Sequence, residues 1–529
     1  MRRPLLLNGF MATGKSSVGR ALASRVNHPF IDLDERIEVR AGASVSEIFA
    51  QRGEAEFRAL ERAELADILD NPGPRPPVVA VGGGALTRRD SRLAALDRGV
   101  VVTLEASAEE IARRTSSNAD RPLLRGPDPV ERARELLAQR AAGYAEAHAR
   151  IPTEGRSIDA VASDALAAWQ LDAIAVAAGE RSYVVEIGAG ILASRLAAAV
   201  GNPSRLLLVS DSNVLRLHGA ATLSLLSALN PAVVELSPGE EHKHIGSAEQ
   251  IWRAALEASA DRKARVLALG GGVVTDVAGF AAASYMRGIS WVGAPTTLLA
   301  MVDASVGGKT GVDLLSAKNA VGAFWQPSRV LCDTDFLKTE SERAFRSALA
   351  EVVKTALIGD PDLLQLLESA AERIAERPAE LLVELVRRSI RVKARIVSED
   401  ERESGRRALL NLGHTVGHAL EAVSGYSRLT HGEAVSLGLV AALRIGVGLG
   451  VTPPALAERG EALLARLGLP TDVAAEPLEA SLQLIGHDKK RAGKNVRFIV
   501  AKDAGVVDTL DLELSSLQSL TLSLAKRSA

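Results

Sequence analysis

The stretch that most constrains this chain is "LLLNGFMATGKSSVGR", Leu5 to Arg20. An apolar run ends in a G-x-x-x-x-G-K-S loop, Gly9 to Ser16, and an amphipathic stretch reaching Val26 follows it. Strand, glycine loop and helix in that order form a phosphate cradle, because the loop's backbone N–H groups converge at a helix N-terminus. Lys15 then neutralises β- and γ-phosphate charge, and the Ser16 hydroxyl suits Mg²⁺. A glycine turn formed by chance is the plain alternative, and the flanking strand and helix weigh against it. The next apolar runs, "PPVVAVGGG" and "GVVVTLEA", alternate with amphipathic stretches, so the fold class is α/β with a parallel sheet.

A chain of 529 residues exceeds one ordinary core, and about two to four domains are expected. The boundary is placed near residue 172, after the Ala-rich stretch "SIDAVASDALAAWQL". A second α/β series follows over about 173–339, with "RSYVVEIGAG", "SRLLLVSD", "ARVLALGGGVVTD" and "GISWVGAPTTLLA" as its strands. Over 340–529 helical periodicity dominates, which predicts an all-helical part carrying the histidines. Lys+Arg at 63 against Asp+Glu at 65 leave no basic field for a nucleic acid or an anionic membrane, so anions must be bound locally. Aromatic residues at 3% offer few base-stacking platforms. The single Cys332, the short leucine run before Asn8 and the lack of an 18-residue apolar stretch together predict a cytoplasmic protein with no membrane segment.

"FIDLDERIE" sets Asp32 and Asp34 at a strand end, where one carboxylate can reach a metal and the other a substrate hydroxyl; helix capping is an equal reading of either alone. Arg58, Arg121 and Arg140 could be surface charges, but guanidinium beside a phosphate loop suits carboxylates and transferring phosphoryl groups. Taken in order, "GFMATGKSSVGR", "FIDLD", "GEAEFR", "VGGGAL", "NADRPLL" and "QRAAGY" resemble shikimate kinase over about residues 3–168. The resemblance implies ATP-dependent phosphorylation of the shikimate 3-hydroxyl. ATP would lie on Met11, Ala12, Thr13, Gly14, Lys15, Ser16, Ser17 and the lid residue Arg121, with Arg156 as a further candidate; Mg²⁺ would lie on Ser16 and Asp32. Asp34, Arg58, Gly83 and Arg140 would grip shikimate, and Lys15, Asp34 and Arg121 would serve the chemistry. Ala12, Thr13 and Ser17 stand where Gly, Ala and Thr are commoner, which implies tuned nucleotide affinity.

In "NLGHTVGH", His414 and His418 fall on one face of a helix, and "THGEAV" adds His431. Helix histidines are often hydrogen-bonded core residues, yet a catalytic zinc commonly takes three protein ligands and leaves one position open; spacing leaves both readings standing. Gly270 to Gly272 follow a strand with Asp276 behind, but the spacing is not G-x-G-x-x-G, so the ordinary dinucleotide fingerprint is missing. Thr296, Thr297, Asp303, Lys309, Lys318 and Asn319 form a dense polar set in apolar surroundings, although any one lysine could be a solvated charge.

The motifs "PGEEHK", "GGGVVTD", "PTTLLAMVD", "GGKTGVD", "FLKT", "LAEVVK", "RALLNLGHTVGHA", "HGEAV" and "HDKK" resemble 3-dehydroquinate synthase over about residues 182–505. The resemblance implies conversion of a seven-carbon keto acid phosphate, 3-deoxy-D-arabino-heptulosonate 7-phosphate, to 3-dehydroquinate and phosphate. A ring carbinol is oxidised, phosphate is eliminated, the hydride returns, and the ring opens and recloses, so NAD⁺ is not consumed. Zinc or cobalt would be held by Glu351, His414 and His431. NAD⁺ would contact Asp211, Pro238, Gly239, Glu240, Glu241, His242, Lys243, Gly272, Val273, Val274, Thr275, Asp276, Thr296, Thr297, Lys309, Lys318, Phe336, Leu337, Lys338 and Thr339. Substrate would contact Arg287, Asp303, Lys309, Asn319, Lys354, Arg407, Asn411, His418 and Lys489, with Lys309, Lys354, Asn411 and His418 in the chemistry. Glu340-Ser341 replace a commoner Leu-Pro and Ala348 a commoner Gly, which touches the cofactor-side loop rather than the metal ligand. The resemblance also implies a homodimer through the synthase part. A competing reading is a catalytically silent nucleotide-binding regulatory module fused to a metal-dependent polyol dehydrogenase, which would not need the anion-binding lysines.

Overall fold

Leu5, Leu6 and Leu7 have no solvent exposure because their strand lies at the centre of a sheet covered on both faces. In this computed structural model, β1 (Leu5–Asn8), β2 (Phe30–Asp32), β3 (Val78–Ala80), β4 (Val100–Glu105) and β5 (Ala149–Pro152) run in the order β2-β3-β1-β4-β5. Every pairing in this sheet is parallel. Alternation splits the leucines: Leu6 packs with Leu33, Ile37 and Ile48, whereas Leu5 and Leu7 pack with Val18, Leu22 and Trp169. The loop leaving β1 therefore opens between β3 and β4, at the carboxyl end of the strands. The structure describes residues 3–116, 128–315, 317–425, 428–489 and 495–525, and the chain divides into two compact units, residues 1–186 and 187–529.

The second sheet is built from β6 (Ile174–Val176), β7 (Tyr183–Gly188), β8 (Leu206–Asp211), β9 (Ala232–Leu236), β10 (Arg265–Gly270), β11 (Ser290–Pro295) and, after the separate hairpin of β12 (Lys309–Leu314) and β13 (Ala317–Phe324), β14 (Arg329–Asp333). Its order is β6-β7-β14-β11-β10-β8-β9. Parallel pairing of β8, β10 and β11 brings Asp211, Gly271 and Thr296, far apart in sequence, to one edge.

Beyond residue 340 helices dominate, among them Glu342–Gly359, Ala379–Glu399, His414–Val423 and His431–Gly448. One correction to the all-helical expectation is the antiparallel hairpin of β15 (Asn495–Asp503) and β16 (Val506–Glu513). Its signal was present: in "NVRFIVAKD", Val496, Phe498 and Val500 alternate inward, the period of a half-buried strand. Three helices close around the histidines because glycine lets their backbones touch. A Cβ at Gly432 would lie 1.9 Å from Ser347 O, and one at Gly438 2.0 Å from Gly413 O.

Candidate active sites

The first unit holds a cavity of about 540 Å³ lined by Met11 to Val18, Asp32, Asp34, Gly82, Gly83, Arg114, Thr153 and Arg156. Gly9 (φ 133°) and Gly14 (φ 95°) make the loop, and a Cβ at Gly9 would strike Leu104 O at 2.3 Å. Ala12 takes a positive φ of 61° without being glycine, so this departure from the commoner residue costs some backbone strain. Lys15 Nζ donates to Gly9 O and Phe10 O, both at 2.9 Å, so it spans the mouth of the loop. Ser16 Oγ donates to Asp32 Oδ2 at 2.8 Å, while Asp32 Oδ1 caps the following helix through Asp34 N at 3.2 Å. Asp32 thus caps the helix while its other oxygen stays beside Ser16 at the loop.

Asp34 is held up in pKa by burial and by the charge of Asp32, and its buried Oδ1 has no hydrogen-bond partner among the described residues. Arg58 Nη1 binds Glu61 Oε2 at 2.7 Å, and Arg140 Nη1 and Tyr144 Oη both donate to Gly83 O at 3.0 Å. The triple glycine is needed for this closeness: a Cβ at Gly82 would sit 2.7 Å from Glu61 Oε1, and one at Gly84 2.5 Å from Arg58 Nη2. Sequence reasoning missed Glu61, Tyr144 and Arg114. Arg114 Nη1 donates to Ala12 O and Thr153 Oγ1, both at 3.1 Å, fastening the loop. Arg156 reaches the cavity while donating to Asp164 Oδ2 at 2.7 Å. Arg121 lies outside the described residues.

The second unit holds a cavity of about 440 Å³ lined by Asp211, Pro238, Gly239, Gly271 to Val274, Thr296, Thr297 and Thr339. These were expected there, except Gly271; His218 and Glu340 were not. His218 Nε2 lies 2.8 Å from Thr339 Oγ1, and Glu340 Oε2 accepts from Leu298 N at 3.1 Å. Burial pushes the Glu340 carboxyl up to about 7. Other expected cofactor residues stand elsewhere. The exposed Lys338 pairs with Asp335 at 2.6 Å, whereas Phe336 and Leu337 are core side chains, so only their backbones remain for a ligand. Their apolar motif packs the 3-10 turn Thr334–Thr339 into the core. Glu240, Glu241, His242, Lys243, Thr275, Asp276, Lys309 and Lys318 do not line this cavity either. Lys243 is buried between Asp276 Oδ2 at 2.6 Å and Asn319 Oδ1 at 2.5 Å, and burial outweighing that lysine pushes Asp276 up to about 6.

Glu351, His414 and His431 bring ligand atoms within 4.8 Å of one another. Glu351 Oε1 lies 3.6 Å from His414 Nε2 and 3.4 Å from His431 Nε2. It is buried and makes no hydrogen bond of ordinary geometry among the described residues, which is the state expected of an oxygen reserved for a cation. Its other oxygen pairs with the buried Lys354. Burial and then the Lys354 charge push His414 down to about 3, so the imidazole is neutral and free to ligate. His431 is opposed by burial, but Glu351 and Glu421 raise it to about 10: a positive charge is favoured between those carboxylates. His418 stacks edge-on to His414 with centroids 4.8 Å apart, yet is exposed and stands outside the first triad.

The anion-binding set is only partly assembled. Lys309 pairs with Glu403, and Asn411 Nδ2 donates to Glu403 Oε1 at 3.1 Å, so both converge on one carboxylate. Asp303 Oδ1 is held at 2.5 Å by Lys393; burial is outweighed by that charge and Asp303 falls to about 2. Arg407 is buried and donates to Gly307 O at 3.0 Å, so its guanidinium is committed to the backbone there. Arg287 is exposed with φ 67°, and the Lys489 side chain lies outside the described residues. Glu403, Lys393 and Glu421 were missed; they sit outside the quoted motifs or beside stronger ones, and only folding brings them to the site.

A phosphate loop at the centre of a parallel sheet and a helical donor triad beside a nucleotide-type α/β part define the class: a small-molecule phosphotransferase fused to a metal-dependent α/β enzyme. Residues 11–170 match the family model for shikimate kinase, 233–347 that for the 3-dehydroquinate synthase N-terminal domain, and 348–491 that for its C-terminal domain. The chain is 44% identical to the 3-dehydroquinate synthase of Rhodospirillum rubrum over 358 residues, 66% of this chain and 92% of the relative. It is 46% identical to that of Halorhodospira halophila over 327 residues, 62% of this chain and 92% of the relative. Among solved structures, the 2-epi-5-epi-valiolone synthase of Streptomyces hygroscopicus subsp. jinggangensis, with NAD⁺ and Zn²⁺ bound, is 28% identical at a TM-score of 0.59, covering 65% of this chain and 97% of that one. The chain belongs to the 3-dehydroquinate synthase family and carries a shikimate kinase domain ahead of the synthase part.

Proposed function

We propose that the chain is a bifunctional enzyme of the shikimate pathway. Its first part phosphorylates the shikimate 3-hydroxyl with Mg·ATP, and its second converts 3-deoxy-D-arabino-heptulosonate 7-phosphate to 3-dehydroquinate and phosphate with NAD⁺ and zinc or cobalt. Kinase residues 1–172 and synthase residues 173–529 are the functional parts, a division that falls ahead of the 186/187 boundary between the compact units. The observation that carries the synthase reading is the buried, unpartnered Glu351 Oε1 facing two histidine nitrogens. The kinase family match over the phosphate loop sets aside a silent regulatory module.

In the kinase, Lys15 exchanges its loop carbonyls for phosphate oxygens, Ser16 and Asp32 would hold Mg²⁺, and Asp34 orients and deprotonates the accepting hydroxyl. Arg58 and Arg140 take the shikimate carboxylate bidentately. In the synthase, a bound Lewis acid would acidify substrate hydroxyls and NAD⁺ would accept and return a hydride. His418, exposed beside the triad, moves a proton at the substrate. Lys309 and Asn411 release Glu403 and take a substrate anion in its place. Lys354 keeps Glu351 ionised. The synthase part forms a homodimer, and the protein works in the cytoplasm; among the described residues no helix is long and apolar enough to cross a membrane.

Two assays on one preparation test this reading: ADP formation dependent on shikimate, and phosphate release from the heptulosonate phosphate dependent on NAD⁺ and metal. Both should be present. ATP binding without phosphoryl transfer would return the first part to a regulatory role.

A further inference from the structure

Glu421 belongs to none of the quoted motif roles, yet its two oxygens face two different parts of the molecule. It sits on helix His414–Val423, and its side chain is 8% exposed. Oε2 lies 3.3 Å from His431 Nδ1, and Oε1 accepts from Lys318 Nζ at 2.9 Å. His431 in turn presents Nε2 to Glu351 Oε1 at 3.4 Å. An unbroken polar chain, Lys318 to Glu421 to His431 to Glu351, thus runs from strand β13 of the α/β part into the buried donor triad.

We propose that Glu421 is the positioning residue of the metal site and ties it to the nucleotide side through Lys318. The proposal rests on the reading of Glu351, His414 and His431 as the metal ligands and of Lys318 as an NAD⁺ contact. A carboxylate on one imidazole nitrogen keeps the proton there, fixes the ring's orientation and makes the other nitrogen a better donor; losing such a partner typically weakens metal affinity about 10–100-fold. Lys318 holds the second oxygen, so a ligand that draws Lys318 toward itself moves the carboxylate that aims His431. Metal and NAD⁺ affinities are then linked, and linkage is reciprocal. Glu421, His418 and His431 also form a second group with ligand atoms within 4.8 Å. The Lys318 ammonium already on Glu421 Oε1 opposes a second cation there, which makes Glu421 a clamp rather than a ligand.

The test uses the full chain. Zinc affinity is measured by competition with a chromogenic chelator, with and without NAD⁺, and NAD⁺ affinity by calorimetry, with and without zinc. In wild type NAD⁺ should change zinc affinity by about fivefold or more, and zinc should change NAD⁺ affinity by the same factor. Glu421→Gln should bind zinc about 10–100-fold more weakly, with the metal-free melting temperature unchanged and Glu421→Asp recovering part of the loss. Lys318→Ala should keep zinc affinity without NAD⁺ within about threefold and lose the coupling. If Glu421→Gln fails to fold, Glu421→Asp carries the comparison. Glu421→Gln with wild-type zinc affinity would overturn the positioning role, and so would two zinc ions per wild-type chain falling to one in the variant. Absence of coupling in wild type would overturn the link through Lys318. Glu351→Ala that retains zinc would refute the ligand assignment itself, a failure separable from these.

Discussion

Glu351 stands under opposed forces. Burial raises its pKa, while the charge of Lys354 and the contact with His431 lower it by more, so it stays ionised well below the usual carboxylate range. Beside it the neutral His414 and the exposed His418 have different tasks although they lie one turn apart. Zinc analysis should show His418→Ala with full metal and turnover reduced about 100-fold or more; His414→Ala should lose both. Glu340 gives a pH signature. An unfolded glutamate ionises near its ordinary 4.5, whereas the folded group holds its proton to about 7. Between those values the unfolded state alone ionises, so the group withdraws stability as pH rises through that window. Glu340→Gln should melt close to wild type at pH 4.5 and above it at pH 8; equal gaps at both would discount the buried ionisation. This residue was legible in the sequence only as a departure from Leu-Pro. That the departure buries a carboxylate against Leu298 N depends on where the chain turns, which local pattern does not encode.

At the scale of elements, the phosphate loop was fully legible because one contiguous strand, loop and helix create it. The histidine cluster was legible as residues but not as geometry, since Glu351, His414 and His431 come from three helices whose approach depends on glycines. Lys393, Glu403 and Glu421 were invisible for the same reason: charged residues on helices and loops read as solvated until packing turns them inward. The α/β cavity lies between: its glycine and threonine strand ends were found, while Phe336 and Leu337 of "FLKT" put their side chains into the core rather than toward the cavity that Thr339 lines. Helix approach is testable. Gly432→Ala would put its Cβ on Ser347 O and should cost about 1–3 kcal/mol in thermal melts, with weaker zinc binding. An unchanged variant would show that the helices are not held by this contact.

At the scale of the whole molecule, the two sites lie in different compact units and share no residue. The two reactions are not consecutive steps, so hand-off from one site to the other is not needed, and shared expression or assembly explains the fusion more simply. Lys15→Ala should therefore abolish phosphorylation of shikimate and leave phosphate release from the heptulosonate phosphate within about twofold. The converse variant is the most direct measurement. Purified full-length Glu351→Ala is analysed for metal, for phosphate release and for shikimate-dependent ADP formation in the same preparation. Metal should be lost, phosphate release abolished and kinase activity unchanged. Full metal stoichiometry in that variant, or kinase activity falling with the synthase, would contradict this reading.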